Sequence, residues 1–215
     1  MICLAIAGPS GVGKSTVAER LMSDDKSFAL SISATTRERR SDGESDYIHM
    51  DRESFEALIE KGDMLEYTEY NGNLYGTPRQ QIEKIAASGK NPLLILDLNG
   101  IKSLKTKDIG VKVVSVYIYE DINVIEQRLY DRYLKDEPTA EKLSSFVKRK
   151  NQNISDYVNL AQYAEYFDFL LKNEELDKAV SELKELIASS EAQELSPTEK
   201  QKVVDALYNM ALKKA

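Results

Sequence analysis

The sequence predicts an α/β fold: a parallel sheet flanked by helices and interrupted by an inserted mixed α/β subdomain. Three observations carry this. A glycine-rich loop, Gly8-Pro9-Ser10-Gly11-Val12-Gly13-Lys14-Ser15-Thr16, lies between a short apolar run at 2–7 and the helical spacing of Val17, Ala18, Leu21 and Met22. Strand-like runs alternate with helical patterns at both ends of the chain, as in sheets wound with helices. Between them, 34–89 is rich in turns and short strands. A chain of 215 residues is long enough to bury one such core with an insertion.

The loop at 8–16 reads G-x-x-x-x-G-K-S, a phosphate-binding pattern. Its glycines let the backbone turn with positive φ and approach a phosphate with no Cβ in the way. Successive N–H groups then form an anion nest, and the helix beginning near Lys14 adds the positive end of its dipole. Lys14 is expected to reach the β- and γ-phosphates, and the Ser15 hydroxyl to hold Mg²⁺. The pattern thus predicts a nucleoside triphosphate site.

Further along, 28–33 alternates apolar with small or polar residues and predicts a strand leading into the cluster Arg37, Arg39 and Arg40. A turn at 41–44 precedes a short strand at 46–50. Asp51 is expected to cap a helix through Phe55, Leu58 and Ile59 that ends at Gly62. Strands 64–70 and 74–75 flank Asn71-Gly72-Asn73, a hairpin signal. Thr77-Pro78 predicts the N-cap and first turn of a helix ending at Gly89. The apolar stretch 92–98 predicts a strand buried on both faces, followed by a short helix at 101–105.

A second buried strand is expected at 111–119, helices at 121–133 and 139–164, and a last strand at 167–171. Asn173 is expected to cap a helix whose apolar line is Leu176, Val180, Leu183 and Ile187. A polar linker at 189–195 leads to one more helix. Ser196 is its cap, Pro197 opens its first turn, and Glu199 completes a capping box. Val203, Leu207 and Met210, with Val204 and Ala211, form its apolar face.

No apolar run reaches membrane-span length, so no membrane partner is expected. The N-terminus lacks a basic leader, and the single cysteine, Cys3, excludes an internal disulfide. Both features predict a cytoplasmic protein. The net charge of −7 argues against nucleic-acid binding. Two basic clusters stand out against it, Arg37–Arg40 and the set running from Arg128 and Arg132 through Lys148-Arg149-Lys150, and in such a chain they are expected to face phosphates. His49, the single histidine, reads as a structural residue.

A phosphate loop names the donor but not the acceptor. Asp97-Leu98-Asn99-Gly100 fits the D-x-x-G of a GTPase, yet no N-K-x-D guanine reader occurs. A protein kinase would need an H-R-D segment, and His49 is followed by Met50. A small-molecule phosphotransferase remains. The loop, Ser33-Ala34-Thr35-Thr36-Arg37, Gly43-Glu44 with Asp46-Tyr47, Glu66 and Gly72-Asn73-Leu74-Tyr75-Gly76-Thr77 together resemble guanylate kinase. So do Asp97-x-x-Gly100, Arg128 to Arg132, Lys148-Arg149 and the stretch 173–179. The matches are collinear over 1–188.

The resemblance implies a phosphate-loop NTPase-type fold with a GMP-binding insert at 34–89 and a helical lid at about 128–164. The core would then be 1–33, 90–127 and 165–188, with 189–215 as linker and extra helix. It implies Mg²⁺-dependent, in-line transfer of the γ-phosphoryl of ATP to GMP, and to dGMP. ATP binds at Gly8, Pro9, Ser10, Gly11, Val12, Gly13, Lys14, Ser15 and Thr16. Ser33 and Glu66 read guanine, Thr77 adds a hydroxyl, and Arg37, Arg40, Tyr47 and Tyr75 hold the monophosphate. Asp97 lies near the metal and acceptor region. Lys14, Arg128, Arg132 and Arg149 stabilise the transferring phosphoryl group. The partners are small nucleotides, and the chain is a monomer or homodimer.

The chain departs from the family pattern in places. Ile95 stands where many relatives carry a second acid near Asp97, and Arg39 where proline is usual. The turn before Asp46-Tyr47 is short, and Arg132 and Arg149 are 17 positions apart (149 − 132), a longer lid than is typical. The rival from another class is a scaffold domain of this likeness that binds phosphorylated peptides; the intact Lys14 and Ser15 argue against it. A kinase for a different nucleoside monophosphate is the second rival, and Glu66 disfavours it.

Overall fold

The computed structural model describes residues 1–39, 47–70, 72–188 and 196–214. By packing, the chain divides into two units, residues 1–5 with 22–113 and residues 6–21 with 114–215. Strand β1 (Ile2–Ala7) contributes to both, and Cys3 to Ala7 along it are fully buried. Burial also pushes the Cys3 thiol up to about 12, so it stays protonated and inert.

In the first unit, β2 (Phe28–Leu30) pairs in parallel with β7 (Asn91–Ile95), Phe28 opposite Asn91 and Leu30 opposite Leu93. A second, four-stranded sheet is built from β3 (Ala34–Thr35), β4 (Ile48–His49), β5 (Met64–Tyr70) and β6 (Asn73–Pro78), in the order β4-β3-β6-β5. β5 and β6 form the expected antiparallel hairpin, with Tyr70 opposite Asn73. Helix α2 (Arg52–Glu60) is capped by Asp51, whose carboxylate accepts from Ser54 N at 2.7 Å. It lays Phe55 onto Ala34, Met64 and Leu74, with Leu58 and Ile59 alongside. Helices α3 (Arg79–Ala87) and α4 (Leu98–Lys105) complete this unit.

In the second unit, β8 (Lys112–Tyr119) pairs in parallel with β9 (Phe169–Lys172), Val116 opposite Phe169. Only the first two residues of β8 belong to the other unit. Around these strands lie α1 (Lys14–Asp24), α5 (Ile122–Tyr133), α6 (Ala140–Asn159), α7 (Leu176–Ala188) and α8 (Pro197–Leu212). The α/β fold with parallel strands flanked by helices is therefore the one expected.

Several local expectations are corrected. β2 stops at Leu30, and the 46–50 strand shrinks to Ile48–His49. β3 was not foreseen; at two residues it is too short to show a period. β7 ends at Ile95 instead of running to Leu98, because Asp97 caps α4 by accepting from Gly100 N at 2.7 Å. The α4 helix therefore starts three residues earlier than expected. Thr77 is not an N-cap: it lies in β6, Pro78 takes the cap position, and no side chain closes it. Asn173 does not cap α7 but bonds to another loop. The helix expected to reach 164 ends at Asn159, followed by single 3₁₀ turns at Leu160–Gln162 and Ala164–Tyr166.

Helix α8 carries the expected capping box, Ser196 with Glu199, and seats itself on α6 and on the turns after it. Val204, Leu207 and Ala211 are buried there, whereas Val203 and Met210 are only partly covered. Lys200 donates to Phe167 O at 2.7 Å, and Lys214 bonds Glu126 at 3.0 Å. Leu207→Ala should lower unfolding free energy by about 2–5 kcal/mol, the usual cost of an unfilled core leucine site. Urea unfolding followed by circular dichroism measures it, and a change within about 0.5 kcal/mol, typical of surface sites, would show that α8 is not seated.

Candidate functional site

The residues picked out by sequence fall into two groups, one in each unit. The first surrounds the loop after β1. Gly8 has φ 151° and Gly13 φ 100°, conformations side chains resist. A Cβ at Gly8 would meet Ile118 O at 2.2 Å, and one at Gly13 would meet Asn173 Nδ2 at 2.5 Å. The loop curls because Lys14 Nζ donates to Gly8 O at 2.7 Å and Pro9 O at 3.0 Å. Val17 N donates to Gly13 O at 2.9 Å, which starts α1 directly behind the curl.

Two asparagines hold the loop from outside. Asn153, buried in α6, accepts from Ser10 N at 2.7 Å and donates to Ser10 O at 2.8 Å. Asn173 Nδ2 donates to Val12 O at 2.7 Å. Sequence reasoning gave Asn153 no role, because its partner lies 143 positions away.

The same loop gathers three arginines. Ser10, Gly11, Gly13, Lys14, Ser15 and Thr16 line a cleft of about 350 Å³ together with Arg128, Arg132 and Arg149. Arg149 donates to Ser10 Oγ at 2.8 Å. Arg128 reaches toward Val12 O and Asn173 O, both at 3.4 Å. Arg132 and Arg149 each lie over the Tyr133 ring, 5.5 and 5.7 Å from its centroid. Burial pulls Lys14 down to about 8, with Asp156 opposing and Arg149 reinforcing the shift. Such a crowd of cations is costly unless an anion joins it.

Ser15 is an exposed residue in the first turn of α1. Mg²⁺ characteristically takes one or two protein oxygens and completes its shell with phosphate and water, so a lone hydroxyl beside a phosphate cradle fits it. Among the described residues, no three His, Cys, Asp or Glu side chains stand together as a protein-only metal cage.

The second group lies on the four-stranded sheet. Tyr75 and Thr77, two residues apart on β6, share one face. The Tyr75 ring meets Tyr47 edge-on at 5.7 Å, and the Arg37 guanidinium lies over Tyr47 at 5.7 Å. Arg37 N is held by Thr35 Oγ1, and His49 Nδ1 stands 2.7 Å from Arg37 O, a structural role as expected for His49. Arg40 lies outside the described residues, as do Gly43, Glu44 and Asp46 of the motif. Ser33 immediately precedes β3, and its carbonyl accepts from Ile48 N at 2.9 Å.

Glu66 sits opposite Thr77 on β5 and is 7% exposed. Its Oε1 accepts from Thr77 Oγ1 at 2.6 Å. Burial raises its carboxyl to about 7; the Thr77 bond and Lys107 pull down, while Asp97 pushes up. A Cβ at Gly100 would stand 3.3 Å from both Asp97 Oδ1 and Glu66 Oε2, so these two carboxylates approach across a glycine. Asp97 itself is exposed, with Oδ1 committed to capping α4.

A curled glycine-rich loop lined by three arginines in one unit, and in the other a sheet bearing a buried carboxylate and an arginine–tyrosine cluster, are the marks of a phosphate-loop α/β nucleotide-binding protein. The chain belongs to the guanylate kinase family, whose model, described as "Guanylate kinase", matches residues 1–190. It is 35% identical over 192 residues to a guanylate kinase of Cereibacter sphaeroides, covering 87% of this chain and 86% of that one. The human guanylate kinase is 34% identical over 188 residues, 86% of this chain and 91% of its own. In structure, a guanylate kinase from Anaplasma phagocytophilum aligns with TM-score 0.59 and 25% identity over 92% of this chain and 88% of its own. Helix α8 lies beyond the family match. No described helix is long and apolar enough to cross a membrane.

The asparagine clamp makes a testable claim on the loop. Asn153→Ala leaves both Ser10 backbone groups without their buried partner, a loss of about 1–3 kcal/mol. ATP titration of the variant should show affinity lowered by about tenfold or more, given ~1.4 kcal/mol per decade. Unchanged affinity would mean that the loop keeps its shape unaided.

Proposed function

We propose that the protein transfers the γ-phosphoryl group of ATP to GMP, and to dGMP, giving ADP and GDP or dGDP. The observation that carries the choice of acceptor is the buried Glu66 carboxylate paired with Thr77. Guanine presents N1–H and the 2-amino group side by side as donors. An ionised carboxylate accepts from both, whereas adenine offers no such pair. Ser33 and Thr77 would complete base reading. Arg37, Arg40, Tyr47 and Tyr75 would hold the monophosphate, the arginines as charged forks and the tyrosines as neutral donors.

On the donor side, the loop at 8–16 would cradle the triphosphate. Lys14 would leave the Gly8 and Pro9 carbonyls for the β- and γ-phosphates. Mg²⁺, held through Ser15 with Asp97 acting indirectly, would neutralise phosphate charge. Arg128, Arg132 and Arg149 would stabilise the charge that spreads over the phosphoryl oxygens in the transition state. The acceptor is already an oxyanion, so no general base is needed. In-line placement and electrostatics supply the rate. Excluding water then separates transfer from wasteful ATP hydrolysis.

A coupled assay of ATP against a panel of nucleoside monophosphates tests the reading directly. GMP and dGMP should turn over far faster than AMP, CMP or UMP, and equal use of AMP would refute it. The raised Glu66 pKa adds a signed pH dependence. Only the carboxylate accepts from both guanine donors, so affinity is lost as pH falls through about 7. KM for GMP should rise by about tenfold from pH 8 to pH 6, one pKa unit below the midpoint leaving ~10% ionised. In the free protein the same shift works the other way. Stability is lost as pH rises from the unfolded value of 4.5 to about 7, because the unfolded state releases its proton first. A flat KM profile for GMP across this interval would sink the assignment of Glu66.

A further inference from the structure

Strand β5 breaks its register just before Glu66. Met64 stands opposite Pro78 and Glu66 opposite Thr77, so β5 advances two residues while β6 advances one. Leu65 is the extra residue of a bulge. Because side chains alternate with period two, this bulge decides which face Glu66 occupies; a slip of one residue would turn it away from Thr77. β6 tolerates the bulge because Gly76 lies against it. A Cβ there would meet Glu66 O at 2.5 Å and Met64 Sδ at 3.1 Å.

The carbonyls at this irregularity belong to Met64 and Leu65, residues 2% and 0% exposed. Lys107 takes both. From the segment between α4 and β8, its Nζ donates to Met64 O at 3.1 Å and Leu65 O at 2.7 Å. An ammonium is therefore fixed next to Glu66 in sequence and within its electrostatic reach.

We infer that Lys107 is a positioning residue that sets the base specificity of the acceptor site, by closing the Met64–Leu65 bulge so that Glu66 faces Thr77 and by holding a positive charge beside that carboxylate. The inference rests on the reading that Glu66 recognises guanine. Glu66 is faced by the Thr77 hydroxyl from β6, by Asp97 from the start of α4 and by Lys107. Removing Lys107 leaves Asp97 as the charged neighbour, and both effects of the loss disfavour an ionised Glu66 in place. Lys107 touches no nucleotide in this scheme.

The test is steady-state kinetics of the full chain with saturating ATP, comparing GMP with IMP, which lacks the 2-amino group. Lys107→Met should raise KM for GMP by about tenfold, one decade per ~1.4 kcal/mol, with kcat within about threefold. The GMP-to-IMP preference should shrink, and the fall in GMP affinity on acidification should begin at higher pH. Lys107→Arg, which keeps charge and donors, should recover most of the preference. Gly76→Ala, which crowds the bulge without altering charge, should shrink the preference but leave the pH midpoint in place. It keeps the test alive if Lys107→Met is too unstable to assay. An unchanged preference in Lys107→Met or in Gly76→Ala, or KM values for GMP and ATP rising together, would overturn the role of Lys107. A wild-type protein with no preference for GMP over IMP would instead strike at Glu66 as the base reader.

Discussion

Backbone N–H groups can bind a triphosphate only if the chain curls tightly enough for them to converge, and a short loop does not hold that curl unaided. In this protein the curl between β1 and α1 is fixed from three directions. Glycines 8 and 13 supply φ values that place backbone and side-chain neighbours where a Cβ would collide. Lys14 ties its ammonium to the carbonyls of Gly8 and Pro9. Asn153 and Asn173 grip Ser10 and Val12 from α6 and from the end of β9. Arg149 of α6 approaches the loop because the same helix carries the Asn153 contact. Arg149 is one helical turn from Asn153, so one helix both shapes the loop and aims a guanidinium at it.

The acceptor residues follow a different logic, that of a carboxylate kept where it is uncomfortable. Glu66 is buried and close to Asp97, so its carboxyl is pushed up to about 7 although the Thr77 bond pulls it down. In the proposed reaction a guanine edge would add two donors to the one that Thr77 gives this carboxylate, and the cost of burial would become discrimination. In the Arg37–Tyr47–Tyr75 cluster the rings fix a guanidinium while adding no competing charge, an arrangement that would suit the proposed monophosphate.

Much of this was legible in the sequence because phosphate chemistry demands unusual local patterns. The glycine-lysine-serine loop, the hairpin around Gly72 and the capping box at Ser196 are each specified by neighbours a few residues apart. What stayed hidden is long-range. Asn153 looks like any polar residue in a helix, since its partner Ser10 lies at the other end of the chain. Thr77 and Asn173 were read as helix caps because threonine and asparagine favour that position, yet each spends its side chain on a tertiary partner, Glu66 and Val12 O. The bulge at Leu65 leaves no mark in hydrophobic periodicity, because Met64 and Leu65 are both apolar and both buried. Asp97 shows the reverse case. Its D-x-x-G spacing suggested nucleotide chemistry, and the aspartate also caps α4, a role the same spacing allows.

The central claim is a division of labour, in which the backbone loop with Lys14 handles the donor and the Glu66 sheet reads the acceptor. Calorimetric titration of Lys14→Ala with GMP, set beside its rate of phosphoryl transfer, tests that division most directly. The account predicts transfer lowered by about 10²–10³ or more, the usual effect of deleting one transition-state electrostatic contact, with GMP affinity close to that of the unmodified protein. A GMP affinity that falls in step with turnover would contradict it.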